Sequence, residues 1–239
     1  MPQTYSAGTV ARIRCGSALT CVQFSTGSMQ CWGLQGNNET FPPSRIYTTF
    51  DLGSRHGCGI EKSTSKIYCW GLTADGRTNA PQGSFIAVSS GAGHNCAIMS
   101  NYSIICWGFN PYVRCCMVTK SLLHSRYGQA NSFDSASGLP SRTAFIKVSA
   151  GLSHTCGILK DSTSTTQGNV VCWGHDNFGQ SSGSKTYSTT KFTDVSAGMQ
   201  NSCGVAVSYG GQANKMLCWG NSDTGQNSPT ATETWQSSS

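Results

Sequence analysis

The sequence predicts an all-β protein, a row of five short antiparallel units that each hold one internal disulfide. Three observations lead there. Cys-Trp-Gly occurs five times, and each copy has its own upstream cysteine, pairing Cys21 with Cys31, Cys58 with Cys69, Cys96 with Cys106, Cys156 with Cys172 and Cys203 with Cys218. A glycine stands five places before every upstream cysteine, at Gly16, Gly53, Gly91, Gly151 and Gly198. No segment carries a sustained helical period with caps. Self-similarity on this scale marks a repeat architecture built from one supersecondary unit.

The repeats run over about 9–42, 46–82, 85–140, 144–184 and 191–229, and a Ser/Thr-rich tail occupies 230–239. In unit one, Cys21 and Cys31 are ten apart with Thr26-Gly27 at the apex; in unit two, Cys58 and Cys69 bracket a tip around Ser63-Thr64. Unit three is interrupted. Cys106-Trp107-Gly108-Phe109-Asn110 opens its loop, Tyr127-Gly128-Gln129 closes it, and the insertion Pro111 to Arg126 lies between. The insertion offers a candidate partner loop in Arg114, Lys120, Leu122, Leu123, His124 and Arg126, because insertions on one face of a repeat array commonly carry binding. The plainer alternative is a tolerated surface excursion. Unit four shows the whole plan: Phe145 to Ser149 reads as a strand stopped by Gly151, Thr155 to Leu159 as a second, and Val170 to Trp173 as a third. The hairpin between the last two sets the cysteines opposite each other, where antiparallel Cα atoms fall within disulfide reach. Cysteine separations of sixteen in unit four and fifteen in unit five read as longer hairpin tips, with polar additions at Ser162 to Gly168 and Tyr209 to Asn214.

Charged residues make up 11% of the 239, against about 25% in ordinary soluble domains. Hydroxyl, amide and glycine residues fill the gap. The formal charge of +6 comes from scattered Lys and Arg with no basic run, which argues against a nucleic-acid partner. No stretch is long enough to span a bilayer, so no membrane insertion is expected, and MPQTYSAGTV has no apolar signal-peptide core. Thirteen cysteines at recurring positions point to an oxidising compartment, secreted or at the cell surface. Asn38 and Asn101 head N-glycan sequons, with Asn201 a weaker third, so covalent glycans are expected. Five pairs leave Cys15, Cys115 and Cys116 over. An odd remainder implies an intermolecular bridge or a free thiol, and a bond from Cys15 to Cys115 or Cys116 would close the array or link subunits.

No catalytic residue, metal or cofactor is expected. There is no Cys-x-x-Cys, and the recurrent His-x-Cys at His56, His94 and His154 reads as a turn histidine satisfying local backbone groups, in preference to a zinc ligand. Gly179-Gln-Ser181-Ser-Gly183 matches Gly-x-Ser-x-Gly but lacks the strand-turn-helix setting of a nucleophile elbow. The aspartates at 51, 75, 134, 161, 176, 194 and 223 form neither a glycosidase pair nor a calcium loop. Trp32, Trp70, Trp107, Trp173 and Trp219 share one slot, which favours packing between units over a carbohydrate platform.

Gly151-Leu-Ser-His154-Thr-Cys156-Gly-Ile-Leu, followed by Val-Val-Cys172-Trp173-Gly174-His-Asp-Asn-Phe-Gly179-Gln180, resembles the repeat of the regulator of chromosome condensation family, above all its extracellular variants with paired cysteines. The resemblance covers nearly the whole chain. His56, His94 and His154 match the family histidine, while Leu19 and Asn201 depart from it. The Gly-Gln ending is intact at Gly179-Gln180 and Gly225-Gln226, altered at Gly76-Arg77 and missing from unit one. The resemblance implies a β-propeller, usually of seven blades. Five blades could close a small ring, remain an open arc or be completed by another chain. The function expected first is a non-enzymatic extracellular scaffold for protein–protein contact, including contact with its own copies as a structural or filament subunit, because an unpaired sheet edge is sticky and repeat stacks without polar caps tend to assemble. The alternative is a secreted binder or inhibitor of another protein, or a receptor-type ectodomain; a lectin or hydrolase in the propeller mouth is the remote third. Nucleotide exchange on a nuclear GTPase conflicts with the disulfides and the repeat count.

Overall fold

The computed structural model describes residues 8–109 and 144–227. Five three-stranded antiparallel sheets, the blades, follow one another along the chain. Blade one holds β1 (Val10–Cys15), β2 (Leu19–Phe24) and β3 (Met29–Gly33), and blade two holds β4 (Tyr47–Leu52), β5 (His56–Glu61) and β6 (Ile67–Gly71). Blade three holds β7 (Phe85–Ser90), β8 (His94–Met99) and β9 (Ile104–Gly108), and blade four holds β10 (Phe145–Ala150), β11 (His154–Leu159) and β12 (Val170–Gly174). Blade five holds β13 (Phe192–Ala197), β14 (Asn201–Tyr209) and β15 (Gln212–Gly220). Among the described residues helix is confined to two 3-10 turns, Ala74–Gly76 and Ser182–Tyr187.

Every blade repeats one register. The paired cysteines sit directly opposite on the second and third strands, with Cα atoms 4.0 to 4.1 Å apart. Disulfides join Cys21 to Cys31, Cys58 to Cys69, Cys96 to Cys106, Cys156 to Cys172 and Cys203 to Cys218. The first strand of each blade carries the same bulge near its start, between Val10 and Arg12, Tyr47 and Thr49, Phe85 and Ala87, Phe145 and Lys147, and Phe192 and Asp194. Side chains alternate across a strand, so each blade has a leading face toward its predecessor and a trailing face toward its successor. In β5, β8 and β11 both faces are covered, leaving five consecutive buried residues in each.

The apolar cores lie in the seams between blades. Cys156, Ile158 and Val170 of blade four pack with Phe192, Val195 and Trp219 of blade five, and equivalent clusters fill the three earlier seams. Blade four packs directly on blade three, and Phe145 donates its N–H to the Tyr102 carbonyl. Blades three and four are therefore neighbours in the array although residues 110–143 separate them in sequence.

The repeat glycine owes its place to close backbone approach, not to a turn. A Cβ added at Gly16, Gly53, Gly91 or Gly151 would collide with the carbonyl oxygen of the next blade's glycine: Gly53, Gly91, Gly151 and Gly198 respectively. Only a residue without a side chain allows that contact. The seam is then tied by backbone hydrogen bonds such as Ala92 N–H to Gly151 O at 3.2 Å and Leu152 N–H to Gly198 O at 3.0 Å. At Gly198 the nearest atoms to the same site all belong to Asn201 of its own blade. Among the described residues blade five has no successor there, so the five blades form an open arc, not a small closed ring.

Two local readings are corrected. The longer hairpin of unit five is not a longer tip: β14 and β15 pair as far as Tyr209 opposite Gln212, and the turn is Gly210-Gly211 with φ of 57° and 79°. The Gly-Gln ending is not missing from unit one. Asn38, with φ 60°, takes the left-handed place of Gly179 at 77°, which Asn tolerates better than most residues. Glu39 then accepts the Asn37 N–H just as Gln180 accepts that of Phe178.

Candidate functional site

The repeat-specific side chains converge on the seams. His56 Nε2 donates to Asn95 Oδ1 at 2.8 Å, His94 Nε2 lies 2.9 Å from Thr155 Oγ1, and His154 Nε2 lies 2.8 Å from Ser202 Oγ. Each partner belongs to the following blade. The expected role in satisfying the local turn backbone is thus replaced by an inter-blade bond. In the first seam Leu19 stands in the histidine place and Gly57 in the partner place; a Cβ at Gly57 would meet Trp70 and Leu52, so apolar packing substitutes for the polar pair. The loops ending blades two and four supply the other tie. The Arg77 carbonyl accepts from Trp107 Nε1 at 3.1 Å and Asn95 Nδ2 at 2.8 Å, and the Gln180 carbonyl accepts from Trp219 Nε1 at 3.0 Å and Ser202 Oγ at 3.2 Å.

Burial depresses the seam histidines, to about 4 for His56, about 3 for His94 and about 4 for His154. All three are neutral in the fold, and each Nδ1 is buried without a hydrogen-bond partner. Protonating Nδ1 would bury a charge with no acceptor. Because the folded value lies below the unfolded value of about 6.5, unfolding takes up protons under acid. The stability these residues contribute is complete above about pH 6.5 and is lost as pH falls toward 4, at up to about 1.4 kcal/mol per pH unit for each histidine. Thermal melts between pH 7.5 and 4.5 should show a falling Tm, and His154→Gln should flatten the slope. A Tm independent of pH over that range would refute this account.

The two ends of the arc differ from the seams. On the leading face of blade one, Val10 and Ile13 are each 53% exposed, whereas their counterparts Tyr47, Phe85, Phe145 and Phe192, and Phe50, Val88 and Val195, are buried beneath the preceding blade. Trp32 is 37% exposed, while Trp70, Trp173 and Trp219 are buried and Trp107 is half-buried. On the trailing face of blade five, Met216 is 45% exposed where Ile67, Ile104 and Val170 are buried, and Cys203 and Val205 are half-buried. Trp32 is thus the most exposed of the five repeat tryptophans, and among the described residues no blade precedes its own.

No protein-family model matches the chain, and no curated protein matches it in sequence. The entire ectodomain of the Physcomitrella patens receptor kinase CR4 superposes with a TM-score of 0.63 at 23% identity, over 88% of this chain and 50% of that one. The ectodomain of the Arabidopsis thaliana receptor kinase ACR4 gives 0.53 at 22% identity, over 91% and 83%. Yeast RCC1 (Prp20), solved bound to Kap60, gives 0.62 at 16% identity, over 89% and 56%. This chain has an RCC1-like propeller fold, stapled by cysteines. It spans half the length of the moss ectodomain.

Within the RCC1-like propeller the remaining candidates fall as follows. Ser181 Oγ donates to the His175 carbonyl, the His175 ring is 2.7 Å from Gln180 Nε2, and Asp176 accepts the N–H groups of Ser181 and Ser182. Serine, histidine and aspartate are neighbours there, yet each is engaged in shaping the loop. Asn38 and Asn101 are exposed. Cys15 is exposed and outside any disulfide among the described residues. Arg114, Cys115, Cys116, Lys120, Leu122, Leu123, His124 and Arg126, with the tail 230–239, lie outside the described residues. Among the described residues no group of three or more His, Cys, Asp or Glu could hold a metal, and no helix is long and apolar enough to cross a membrane.

Proposed function

We propose that this protein is a non-enzymatic, extracellular scaffold for protein–protein contact that assembles with its own copies as a structural subunit. The observation that carries the reading is the pair of apolar end faces. Terminal repeats of a soluble stack normally turn a polar surface outward, whereas Val10, Ile13, Trp32 and Met216 keep the apolar character of a seam. Five disulfides support an oxidising location, at the cell surface or beyond it. Sizing and negative-stain imaging of the full chain, without reductant, should show ordered assemblies that grow with concentration; monodisperse single particles would refute self-assembly. The second reading is a binder of a foreign protein. It is favoured by the likeness to two receptor-kinase ectodomains. Loss of binding to a captured partner when the insertion 111–126 is excised, with assembly absent, would support it.

A further inference from the structure

We propose that the trailing face of blade five docks on the leading face of blade one in a second copy, repeating head to tail the contacts that join blades within the chain. This rests on the self-assembly reading and specifies its interface. The internal seams follow rules that can be carried across the open ends residue by residue.

In the first rule, a side-chain oxygen two places before the repeat glycine accepts a backbone N–H from the next blade: Asp51 from Ser90, Ser89 from Ala150 and Ser149 from Ala197. The successor pair is Ser196 with the N–H of Cys15. In the second, the histidine place reaches the residue after the next blade's histidine place, as His154 reaches Ser202. Its successor pair is Asn201 with Thr20, an amide facing a hydroxyl. In the third, which two seams show, the indole donates to the carbonyl of the preceding loop: Trp107 to Arg77 and Trp219 to Gln180. Trp32 would then lie on Gln226.

Charge points the same way. Residues at one register position on the first strands neighbour each other from blade to blade, and in the last seam Lys147 Nζ pairs with Asp194 Oδ1 at 2.9 Å. Asp194 remains 61% exposed at the arc's end. The same position in blade one is Arg12, so the two open ends present opposite charges to each other. The apolar remainder matches too, with Met216 and Val205 meeting Val10 and Ile13 in the place of a seam core. A contact that joins two different faces is heterologous and propagates unless its rotation closes.

Full-length protein is used throughout, oxidised, with light scattering after size exclusion. Ile13→Glu blocks only the leading end and Met216→Glu only the trailing end. Each places a carboxylate into an apolar junction and should weaken it by about a hundredfold or more. Each variant alone should be monomeric, and an equimolar mixture should give a dimer and nothing larger, since one intact face of each kind remains. Arg12→Glu and Asp194→Lys should each weaken assembly, and the double variant carrying both should recover it. If the wild type assembles while the mixture yields no dimer, or either single-end variant still assembles fully, the junction is refuted and self-assembly stands. A wild type that stays monomeric, including one whose own terminal segment covers an end, refutes both.

Discussion

Reduction of the five disulfides is expected to unfold the protein at room temperature. Each blade is a three-stranded sheet with strands mostly of five or six residues, a size at which a sheet needs packing against something else to persist. A bridge closing a loop of ten to sixteen residues contributes about 3 kcal/mol in the chain-entropy model, and about 2 kcal/mol is a fairer figure where strand pairing already limits the reduced chain. Five such contributions, about 10 kcal/mol together, are comparable with the whole stability of a typical domain, about 5 to 15 kcal/mol. Protein reduced and alkylated should lose its β-type circular dichroism and its cooperative melt, while the alkylated but unreduced control keeps both. An unchanged Tm after verified reduction would show that the bridges do not hold the blades.

Gly91→Ala is expected to cost about 3 kcal/mol or more, although it adds one carbon. The new methyl would meet the Gly151 carbonyl of the next blade and the ring of His94. The first is backbone and the second is buried and hydrogen-bonded, so neither yields without moving blade four. Overpacking of this kind typically costs about 1 to 3 kcal/mol, and more where backbone must shift. Gly36→Ala is the control. Its nearest neighbour is the Arg55 guanidinium at 3.7 Å, so its effect should stay within about 0.5 kcal/mol. Denaturant unfolding of the two variants beside the wild type decides the matter; equal midpoints would remove the close-approach explanation of the repeat glycine.

The blade plan was legible because its markers are local. Cys-Trp-Gly and its upstream cysteine fall on one hairpin, and alternation and turn glycines locate the strands of unit four to within a residue or so. What joins one blade to the next was not legible, because it lies far along the chain: His94 meets Thr155 sixty-one residues away, across the inserted segment. The histidine could be counted but its partner could not. The role of Gly91 was hidden for the same reason, since a backbone carbonyl leaves no mark in sequence. Asn38-Glu39 escaped notice because Asn replaced Gly at a left-handed position and a carboxylate replaced an amide at the same hydrogen-bonding task. Trp32 looked equivalent to its four counterparts because a repeat reads alike at the edge and in the middle, whereas burial depends on having a neighbour.

The disulfides are not equally protected. The upstream cysteines of blades one to four, Cys21, Cys58, Cys96 and Cys156, have no exposed surface, because the succeeding blade lies over them. Of their partners, Cys106 is buried and Cys31, Cys69 and Cys172 are half-buried, so at most one half of each of these bridges meets water. Cys203 and Cys218 are both partly open to solvent. A thiol reagent therefore attacks the C-terminal blade first, and loss of that blade uncovers Cys156 in turn, so erosion proceeds in one direction like a row of roof tiles lifted from its last overlap.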